Sequence, residues 1–439
     1  MDLSKSVTAR SLALEILESV LEQGAYANLA LHKALQKTSL SSVDKALVTE
    51  LVYGTLTRKI TLEWHLSFFV EDRDKLDSPI YPVLLMTLYQ MLYLEKIPNR
   101  AAIHQAVELV KKRLHPAASG YVNAILRKME SQGLQDPAKI KRLNKRLSIL
   151  YSLPVWLVRD LIEEYGNERG EALMESLLWK NRASLRVQDL AEKDRLKELL
   201  EARDSEISPC GLVKDQGQFA VSQAFQEGQV TIQDESSQLV APTLALEGWE
   251  RVLDACSAPG GKTTHIATYL DQGQVTALDL YDHKLALIEE NAHRLGLADR
   301  IQTKRLDARE VHKAFPKGSF DKILVDAPCS GIGLLRRKPD IRYRKSRKDL
   351  DQLQEIQLQI LDSVCQTLQE GGIITYSTCT IFSKENQQVI QKFLEGHPDF
   401  EQVPLVHPKT EMMVDGCLLI TPELFGTDGF FISQLRKKS

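Results

Sequence analysis

The sequence predicts a multidomain protein with an all-α N-terminal domain, a small α+β connector and a C-terminal α/β Rossmann-like domain. Apolar residues recur at helical spacing through roughly the first 130 positions, and short β-rich runs alternate with helical segments from Val252 onward. The chain of 439 residues is also too long for one core of ordinary size. We therefore expect domains at residues 1–140, 141–245 and 246–439.

The N-terminal helices are predicted from apolar side chains three or four positions apart. Leu12, Ile16 and Val20 form one such row, and Ile103 and Val107 belong to another. Residues with this spacing share one face of a helix. These rows predict helices that pack together through their apolar faces.

The connector is predicted to combine one helical stretch with short strands. The helical stretch covers Trp156–Trp179. The expected strands are Leu185–Val187, Leu212–Val213 and Val230–Ile232.

The C-terminal domain is predicted from five β-rich runs separated by helical segments. Such alternation favours a parallel, doubly wound sheet, in which ligands bind at the carboxyl ends of the strands. The runs are Arg251–Asp254, Gln274–Asp279, Ile301–Leu306, Lys322–Asp326 and Gly372–Ser377.

Charge and cysteine content exclude several classes of protein. The 56 basic and 59 acidic residues leave a net charge of -3, so contact with a nucleic acid would have to use local basic patches. The six cysteines have no zinc-binding spacing, so we expect free thiols and no metal. No signal pattern or membrane-length apolar run is found, which favours a cytoplasmic protein without membrane contact.

A glycine-containing turn follows the first of these runs and leads into a helix. It spans Asp254–Lys262, and Gly260 and Gly261 let the backbone approach a ligand, while Thr263 or Thr264 could cap the helix. The turn lacks the spacing of a triphosphate-binding loop.

Two aspartates end the next two runs. Asp279 could accept hydrogen bonds from ribose hydroxyls, and Asp307 could accept one from an adenine amino group. Each of them could instead simply cap a helix. Together with the glycine turn, they favour a nucleoside-containing cofactor.

Two cysteines follow the fourth and fifth runs and should face the same crevice. They are Cys329 in Asp326–Gly333 and Cys379 in Thr375–Thr380. A thiolate that adds to C6 of a cytosine makes C5 nucleophilic enough to accept a sulfonium methyl group, and a second group must then remove the C5 proton. Asp326 could hydrogen-bond the base. The residues alone do not decide which thiol attacks.

The remaining cysteines are interpreted as structural. Cys210, Cys365 and Cys417 are expected to be small buried apolar residues. Cys256 lies inside the glycine turn, where it would serve packing or backbone geometry.

Basic residues cluster after the Cys329 loop and in the helical domain. Phosphate binding is one interpretation and a solvated helix face is the other, while Tyr343 within the first cluster could stack on a base. The clustered residues are Arg336, Arg337, Lys338, Arg342, Arg344, Lys345, Arg347 and Lys348, with Lys111, Lys112, Arg113, Arg127 and Lys128 in the helical domain.

The motifs at Asp254–Lys262, Asp326–Gly333 and Thr375–Thr380 resemble those of the RNA 5-methylcytosine methyltransferase family, in its bacterial 16S ribosomal RNA branch. The resemblance spans nearly the whole chain and includes an N-terminal domain similar to the antitermination factor NusB. Two departures are Tyr343, where relatives often carry Trp, and Ala183, near which they often carry proline.

The resemblance implies an S-adenosyl-L-methionine (S-adenosylmethionine) cofactor and 16S rRNA as the partner, and we expect a monomer. It also implies that Cys379 is the nucleophile, with Cys329 and Asp326 completing the catalytic set. The implied cofactor-binding residues are Cys256, Ser257, Ala258, Pro259, Gly260, Gly261, Lys262, Asp279, Asp307 and Asp326.

Three other functions remain open at this point. The chain could be a non-catalytic RNA-binding assembly factor that keeps an idle methyltransferase fold. It could methylate another RNA, such as a tRNA. It could also methylate an exocyclic amine, although that chemistry needs no pair of cysteines.

Overall fold

The computed structural model describes residues 7–215, 217 and 219–439. By internal contacts the chain divides into two compact units, Met1–Leu178 with Arg337–Arg344, and Trp179–Arg336 with Lys345–Ser439. The three domains expected from the sequence stay a prediction. None of the helices among the described residues combines the length and apolar character needed to cross a bilayer.

The first unit is built from helices in its described part, which confirms the all-α N-terminal domain. Side chains cap several helix starts: Ser11 N donates to Thr8 Oγ1 at 3.1 Å, and Asp44 N donates to Ser41 Oγ at 3.1 Å. The helices are α1 (Ala9–Leu21), α2 (Ala27–Lys37), α3 (Ser42–Thr57), α4 (Lys59–Leu66), α5 (Ile80–Tyr93), α6 (Asn99–Arg113), α7 (Pro116–Gln132), α8 (Leu143–Tyr151), α9 (Val155–Tyr165) and α10 (Asn167–Ser176).

The core of this unit lies around α5. Apart from a few polar residues, α5 is apolar on every side, and it contacts α1, α3, α4, α6 and α7. The predicted row of Leu12, Ile16 and Val20 is buried against this core. The helical spacing in the sequence therefore identified the packed faces correctly.

The helical stretch expected over Trp156–Trp179 is not continuous. Gly166 ends α9 with a φ of 78°, which favours glycine, and α10 begins at Asn167. The predicted helical stretch therefore consists of two helices, α9 and α10, separated at Gly166.

The second unit begins with a small antiparallel sheet, and the three strands expected in the connector are confirmed. The strand order is β2-β3-β1-β4. Its elements are β1 (Ala183–Val187), α11 (Lys193–Leu199), β2 (Arg203–Asp204), β3 (Gly211–Lys214), α12 (Gln223–Gln226), β4 (Val230–Ile232) and α13 (Glu235–Gln238).

The larger sheet of this unit has the order β11-β12-β13-β9-β8-β5-β6-β7 in the described residues, with β10 also paired to β13. Its strands are β5 (Arg251–Asp254), β6 (Gln274–Asp279), β7 (Ile301–Arg305), β8 (Phe320–Asp326), β9 (Leu368–Thr378), β10 (Phe400–Val403), β11 (Met413–Val414), β12 (Cys417–Ile420) and β13 (Phe430–Lys437). The remaining helices are α14 (Gly261–Thr268), α15 (Asp282–Arg294), α16 (Val311–Ala314), α17 (Ile341–Arg344, in the first unit), α18 (Arg347–Val364), α19 (Gln387–Gly396) and α20 (Pro422–Phe425).

The predicted parallel sheet is only part of the observed one. Strands β5 to β9 are parallel as expected, whereas β10 to β13 pair antiparallel. Asp415 and Gly416 have φ values of 50° and 74°, which suit a tight hairpin between β11 and β12. The parallel sheet predicted from the five runs is confirmed, and the antiparallel strands that extend it were not predicted.

Candidate active site

A cavity of about 380 Å³ opens at the carboxyl ends of the parallel strands. It is lined by Ala255, Cys256, Ala258, Asp279, Leu280, Lys284, Leu306, Asp307, Ala308, Arg309, Asp326, Pro328, Ile356 and Ile360. The cavity thus contains residues from the glycine turn, both predicted cofactor aspartates and Asp326. A larger cavity of about 580 Å³, which includes Ser208 and Val406, is lined by none of the predicted site residues.

The glycine turn connects β5 to α14 through a tightly packed backbone. Ser257 N donates to Leu278 O at 2.9 Å, which ties the turn to β6. Gly260 has a φ of 98°, and a Cβ there would lie 3.1 Å from Ile288 Cα. Glycine is required at this position by both conformation and space.

The two threonines after the turn do not cap the helix as predicted. Gly260 is the N-cap of α14, so Thr263 and Thr264 lie inside the first turn. Thr263 Oγ1 instead donates to Asp254 Oδ2 at 2.7 Å, and Thr264 Oγ1 donates to Gly260 O at 2.8 Å. The helix begins one turn earlier than the capping prediction assumed.

Asp279 and Asp307 both face the cavity, and both also make local contacts. Asp279 Oδ1 accepts from Tyr281 N at 3.2 Å. Asp307 caps the following helical turn and binds Arg309, whose Nη2 lies 2.6 Å from Asp307 Oδ2. The hydrogen bond from Arg309 lowers the pKa of Asp307. Asp307 therefore both caps a short helical turn and lines the cavity, whereas Asp279 lines the cavity without capping α15, whose N-cap is Tyr281.

Asp326 forms an ion pair at the end of β8. Lys262 Nζ donates to Asp326 Oδ2 at 2.8 Å, and Ser377 Oγ donates to Asp326 Oδ1 at 2.8 Å. Burial alone would lower the pKa of Lys262, but the Asp326 carboxylate outweighs that effect, so the pKa is raised. The Lys262 ammonium also lies over the ring of Phe430, 4.8 Å from its centroid.

The sulfurs of Cys329 and Cys379 lie 3.2 Å apart. The hydrogen bond with Cys379, together with burial, raises the pKa of the Cys329 thiol well above its ordinary value. Gly333 N donates to Cys379 O at 3.0 Å, so the two cysteine loops are joined through their backbones. The structure brings together the two thiols that the sequence singled out.

The close approach of these loops depends on two glycines. Gly429 N donates to Gly333 O at 2.9 Å, and a Cβ on Gly333 would lie 2.0 Å from Gly429 O and 2.8 Å from Cys379 O. Any side chain at Gly333 would separate the segments.

The other cysteines are placed as expected. Cys210, Cys365 and Cys417 are buried. Cys256 lines the cavity, and burial raises the pKa of its thiol, which keeps the thiol protonated. Among the described residues, no group of three or more His, Cys, Asp or Glu side chains could hold a metal ion.

Three residues of the segment that was considered for RNA contact form hydrogen bonds inside the first unit. Arg342 is buried and its Nη1 donates to Thr57 O at 3.0 Å. Tyr343 Oη donates to Leu56 O at 2.6 Å, and Arg344 Nη1 donates to Gly24 O at 3.0 Å. Their polar groups hold the segment Arg337–Arg344 against helices of this unit.

Several residues at the site were missed in the sequence. Glu385, Gln357 and Ser377 contact the cysteine loops or Asp326, and Phe430 contacts Lys262. A single sequence carries no periodicity or motif that separates them from ordinary core residues. Only the position of Glu385, in a short turn after the Cys379 loop, could have drawn attention to it.

Known protein families match both the C-terminal and the N-terminal part of the chain. Residues 241–436 match the family model 16S rRNA methyltransferase RsmB/F, and residues 7–131 match the NusB family. A Bacillus subtilis (strain 168) protein called probable ribosomal RNA small subunit methyltransferase B is 42% identical, over 99% of this chain and 100% of its own length. A Proteus mirabilis ribosomal RNA small subunit methyltransferase B is 33% identical over 99% of both chains.

Solved structures show the same architecture. The crystal structure of PH0851 aligns with a TM-score of 0.84 at 25% identity, covering 98% of this chain and 99% of that one. NSun6 from Pyrococcus horikoshii with SFG aligns with a TM-score of 0.59 at 21% identity, over 66% of this chain and all of that one. The second likeness concerns the fold alone.

The Rossmann-like sheet, the cavity at its carboxyl edge and the matched models define an S-adenosylmethionine-dependent methyltransferase. Given its identity to relatives over the full length, the chain belongs to the ribosomal RNA small subunit methyltransferase B family. S-Adenosylmethionine is its cofactor, and the named relatives are methyltransferases of small-subunit ribosomal RNA.

Proposed function

We propose that this enzyme methylates carbon 5 of a cytosine in 16S rRNA through a covalent bond between Cys379 Sγ and C6 of the base. The observation that carries the proposal is the 3.2 Å separation of the Cys329 and Cys379 sulfurs. Methylation of C5 requires one group to bond the ring and another to release it, and a second thiol beside the first meets that need.

The residues around the cavity fit S-adenosylmethionine. Its volume of about 380 Å³ lies within the range of small-molecule pockets. Asp279 and Asp307 provide acceptors for ribose hydroxyls and an adenine amino group, and Ile356 and Ile360 provide an apolar wall. Residues 256–262 would hold the remaining part through their backbone. When bound, the cofactor supplies an electrophilic methyl group.

Cys379 would act as the nucleophile, with Cys329 as the neighbouring thiol. The raised pKa of Cys329 favours its protonated form, which can donate its S–H to Cys379 Sγ 3.2 Å away. The Lys262 ammonium and Cys379 attract each other, and this attraction contributes to the raised pKa of Lys262. The Cys379 thiolate would add to C6 and make C5 electron-rich.

Asp326 and Lys262 would hold the base and balance its charge. Asp326 Oδ1 and Oδ2 are fixed by Ser377 and Lys262, so the carboxylate is oriented before the base arrives. It would accept a hydrogen bond from the exocyclic amine, and the adjacent ammonium would stabilise negative charge that develops on the ring as sulfur adds.

Cys329 would act in the release step, in which the proton on C5 is removed and the base separates from Cys379. Once Cys379 is bonded to C6, its thiolate charge is gone, and the main cause of the raised pKa of Cys329 goes with it. Cys329 can then lose its proton to solvent and accept the proton on C5. The electrons of the C5–H bond re-form the C5–C6 double bond and expel Cys379 as a thiolate.

The product nucleoside tests this proposal. We expect unmethylated 16S rRNA treated with the enzyme and labelled cofactor to yield 5-methylcytidine on digestion and mass spectrometry. A methyl group on the exocyclic nitrogen, or no transfer, would contradict it. A tRNA assayed in parallel tests the choice of RNA, and the account expects no transfer to it.

A further inference from the structure

Glu385 is a buried carboxylate that contacts the Cys329 loop. It has no exposed surface and lies in the short helical turn Ser383–Glu385 after β9. Ser330 N donates to Glu385 Oε1 at 2.7 Å, and Ser330 Oγ donates to Glu385 Oε2 at 2.6 Å. Both bonds fix the residue directly after Cys329.

The same carboxylate is connected to the Cys379 loop. Thr380 Oγ1 lies 3.0 Å from Ser330 Oγ. The Thr380 side chain also forms a hydrogen bond with the Glu385 carboxylate. The Glu385 carboxylate therefore links the residues that follow the two cysteines.

A third element joins this network from α18. Gln357 Nε2 lies 3.0 Å from Pro328 O and 3.4 Å from Glu385 Oε1. Tyr376 Oη, on β9, donates to the backbone oxygen of Glu385 at 2.7 Å. The carboxylate is held from several directions, so it has little freedom to shift.

Hydrogen bonds explain why the Glu385 carboxylate is tolerated in a buried position. Burial raises the pKa of Glu385, and the hydrogen bonds from Ser330 partly offset that effect. A buried carboxylate is costly unless it is hydrogen-bonded, so the donors of both loops stabilise it and are ordered by it in return.

We propose that Glu385 is a positioning residue that holds Cys329 in contact with Cys379 and thereby supports the release step. The inference rests on the proposed function for the release step alone. The positioning itself concerns two sulfur atoms and can be measured without RNA.

Thiol cross-linking in the full-length protein tests the positioning. Diamide oxidises two adjacent thiols to a disulfide and takes up both of their protons, and peptide mass mapping identifies the Cys329–Cys379 product. We expect Glu385→Ala to form this disulfide roughly tenfold more slowly, since small displacements strongly reduce proximity-dependent reactions. Glu385→Gln keeps an acceptor for Ser330 N, so it should react at close to the wild-type rate.

Two further variants keep the test decisive. Glu355→Ala removes an exposed carboxylate on α18 and should react like wild type. Ser330→Ala removes the side-chain connection but leaves Glu385 in place, so its rate should fall between those of wild type and Glu385→Ala. This variant serves if Glu385→Ala does not fold. A wild-type rate in Glu385→Ala, or in Ser330→Ala where the former is unfolded, would overturn the inference.

Covalent protein–RNA adducts test the consequence for catalysis. Glu385→Ala should accumulate adduct several-fold above wild type, as Cys329→Ala does, because attack continues while release is slowed. A purely structural role would lower Tm without changing the adduct fraction per active enzyme, which would overturn the inference while the proposed function stands. If neither Cys329→Ala nor wild type transfers methyl groups, the proposed function fails, and its release step fails with it.

Discussion

Lys262 Nζ and Asp326 Oδ2 form a 2.8 Å ion pair between the helix after the glycine turn and the end of β8. The pair joins the cofactor side of the site to the side that carries the cysteines.

Replacing Asp326 should change both the rate and its pH dependence. In Asp326→Asn, burial would lower the pKa of Lys262 without an opposing carboxylate. The charged form of Lys262 would then be lost at lower pH, so the alkaline limb of the single-turnover rate should move to lower pH. We expect kcat to fall roughly 100-fold. Asp321→Asn, at the other end of β8, should leave this limb unchanged, and an unshifted limb in Asp326→Asn would contradict the assignment.

The two cavity aspartates should determine the affinity for the cofactor. We expect Asp279→Ala and Asp307→Ala each to raise the Kd for S-adenosylmethionine roughly 10- to 100-fold, since each would lose a charged hydrogen-bond acceptor. Titration calorimetry measures this directly. The matched control is Asp282→Ala, which removes an exposed carboxylate that pairs with Arg305 at 2.9 Å. Equal weakening in the control, or none in the two variants, would refute the assignment.

The buried Asp254 should make stability depend on pH. Burial raises the pKa of Asp254 to about 6 from its ordinary value of 3.8. The folded state therefore holds the proton more tightly, and the free energy of unfolding should fall by about 3 kcal/mol as pH rises through this range. Asp254→Asn keeps an acceptor for Thr263 and should remove this decline. Urea unfolding of the cofactor-free protein at several pH values tests it, with Asp282→Asn as the control, and an unchanged decline would contradict it.

A basic segment of the first unit should bind rRNA phosphates. Lys139, Lys141, Arg142 and Lys145 are exposed, and the first turn of α8 carries no acidic residue. We expect Lys141→Glu with Lys145→Glu to weaken rRNA binding at least roughly tenfold and to reduce its salt dependence. Lys33→Glu with Lys37→Glu, on α2, makes the same change of charge elsewhere and should have a smaller effect. Identical losses in both pairs would argue against this surface.

The sequence predicted the parts of the fold that depend on local pattern. The helical rows, the five parallel strands and the turn at Gly260 follow from periodicity and backbone conformation. Of the antiparallel strands, β11 (Met413–Val414) has too few residues to show alternation, and β13 (Phe430–Lys437) is buried on consecutive positions, so its sequence does not alternate either. The break at Gly166 was missed because a glycine within a helical pattern is often tolerated.

Site residues that belong to a sequence motif were predictable. Residues that reach the site from distant segments were not. Cys329 and Cys379 follow neighbouring strands, so topology alone placed them together. Glu385 and Phe430 reach the site only through tertiary packing. The sequence also did not show that Arg342 and Tyr343 bind backbone carbonyls within the first unit.

The most direct measurement separates the roles of the two cysteines. Wild type, Cys379→Ala and Cys329→Ala are incubated with unmethylated 16S rRNA and labelled cofactor, and covalent adducts are separated by denaturing electrophoresis. The account predicts no methyl transfer and no adduct with Cys379→Ala, and a stable methylated adduct through Cys379 with Cys329→Ala. Turnover by Cys379→Ala, or release of product at the wild-type rate by Cys329→Ala, would contradict it.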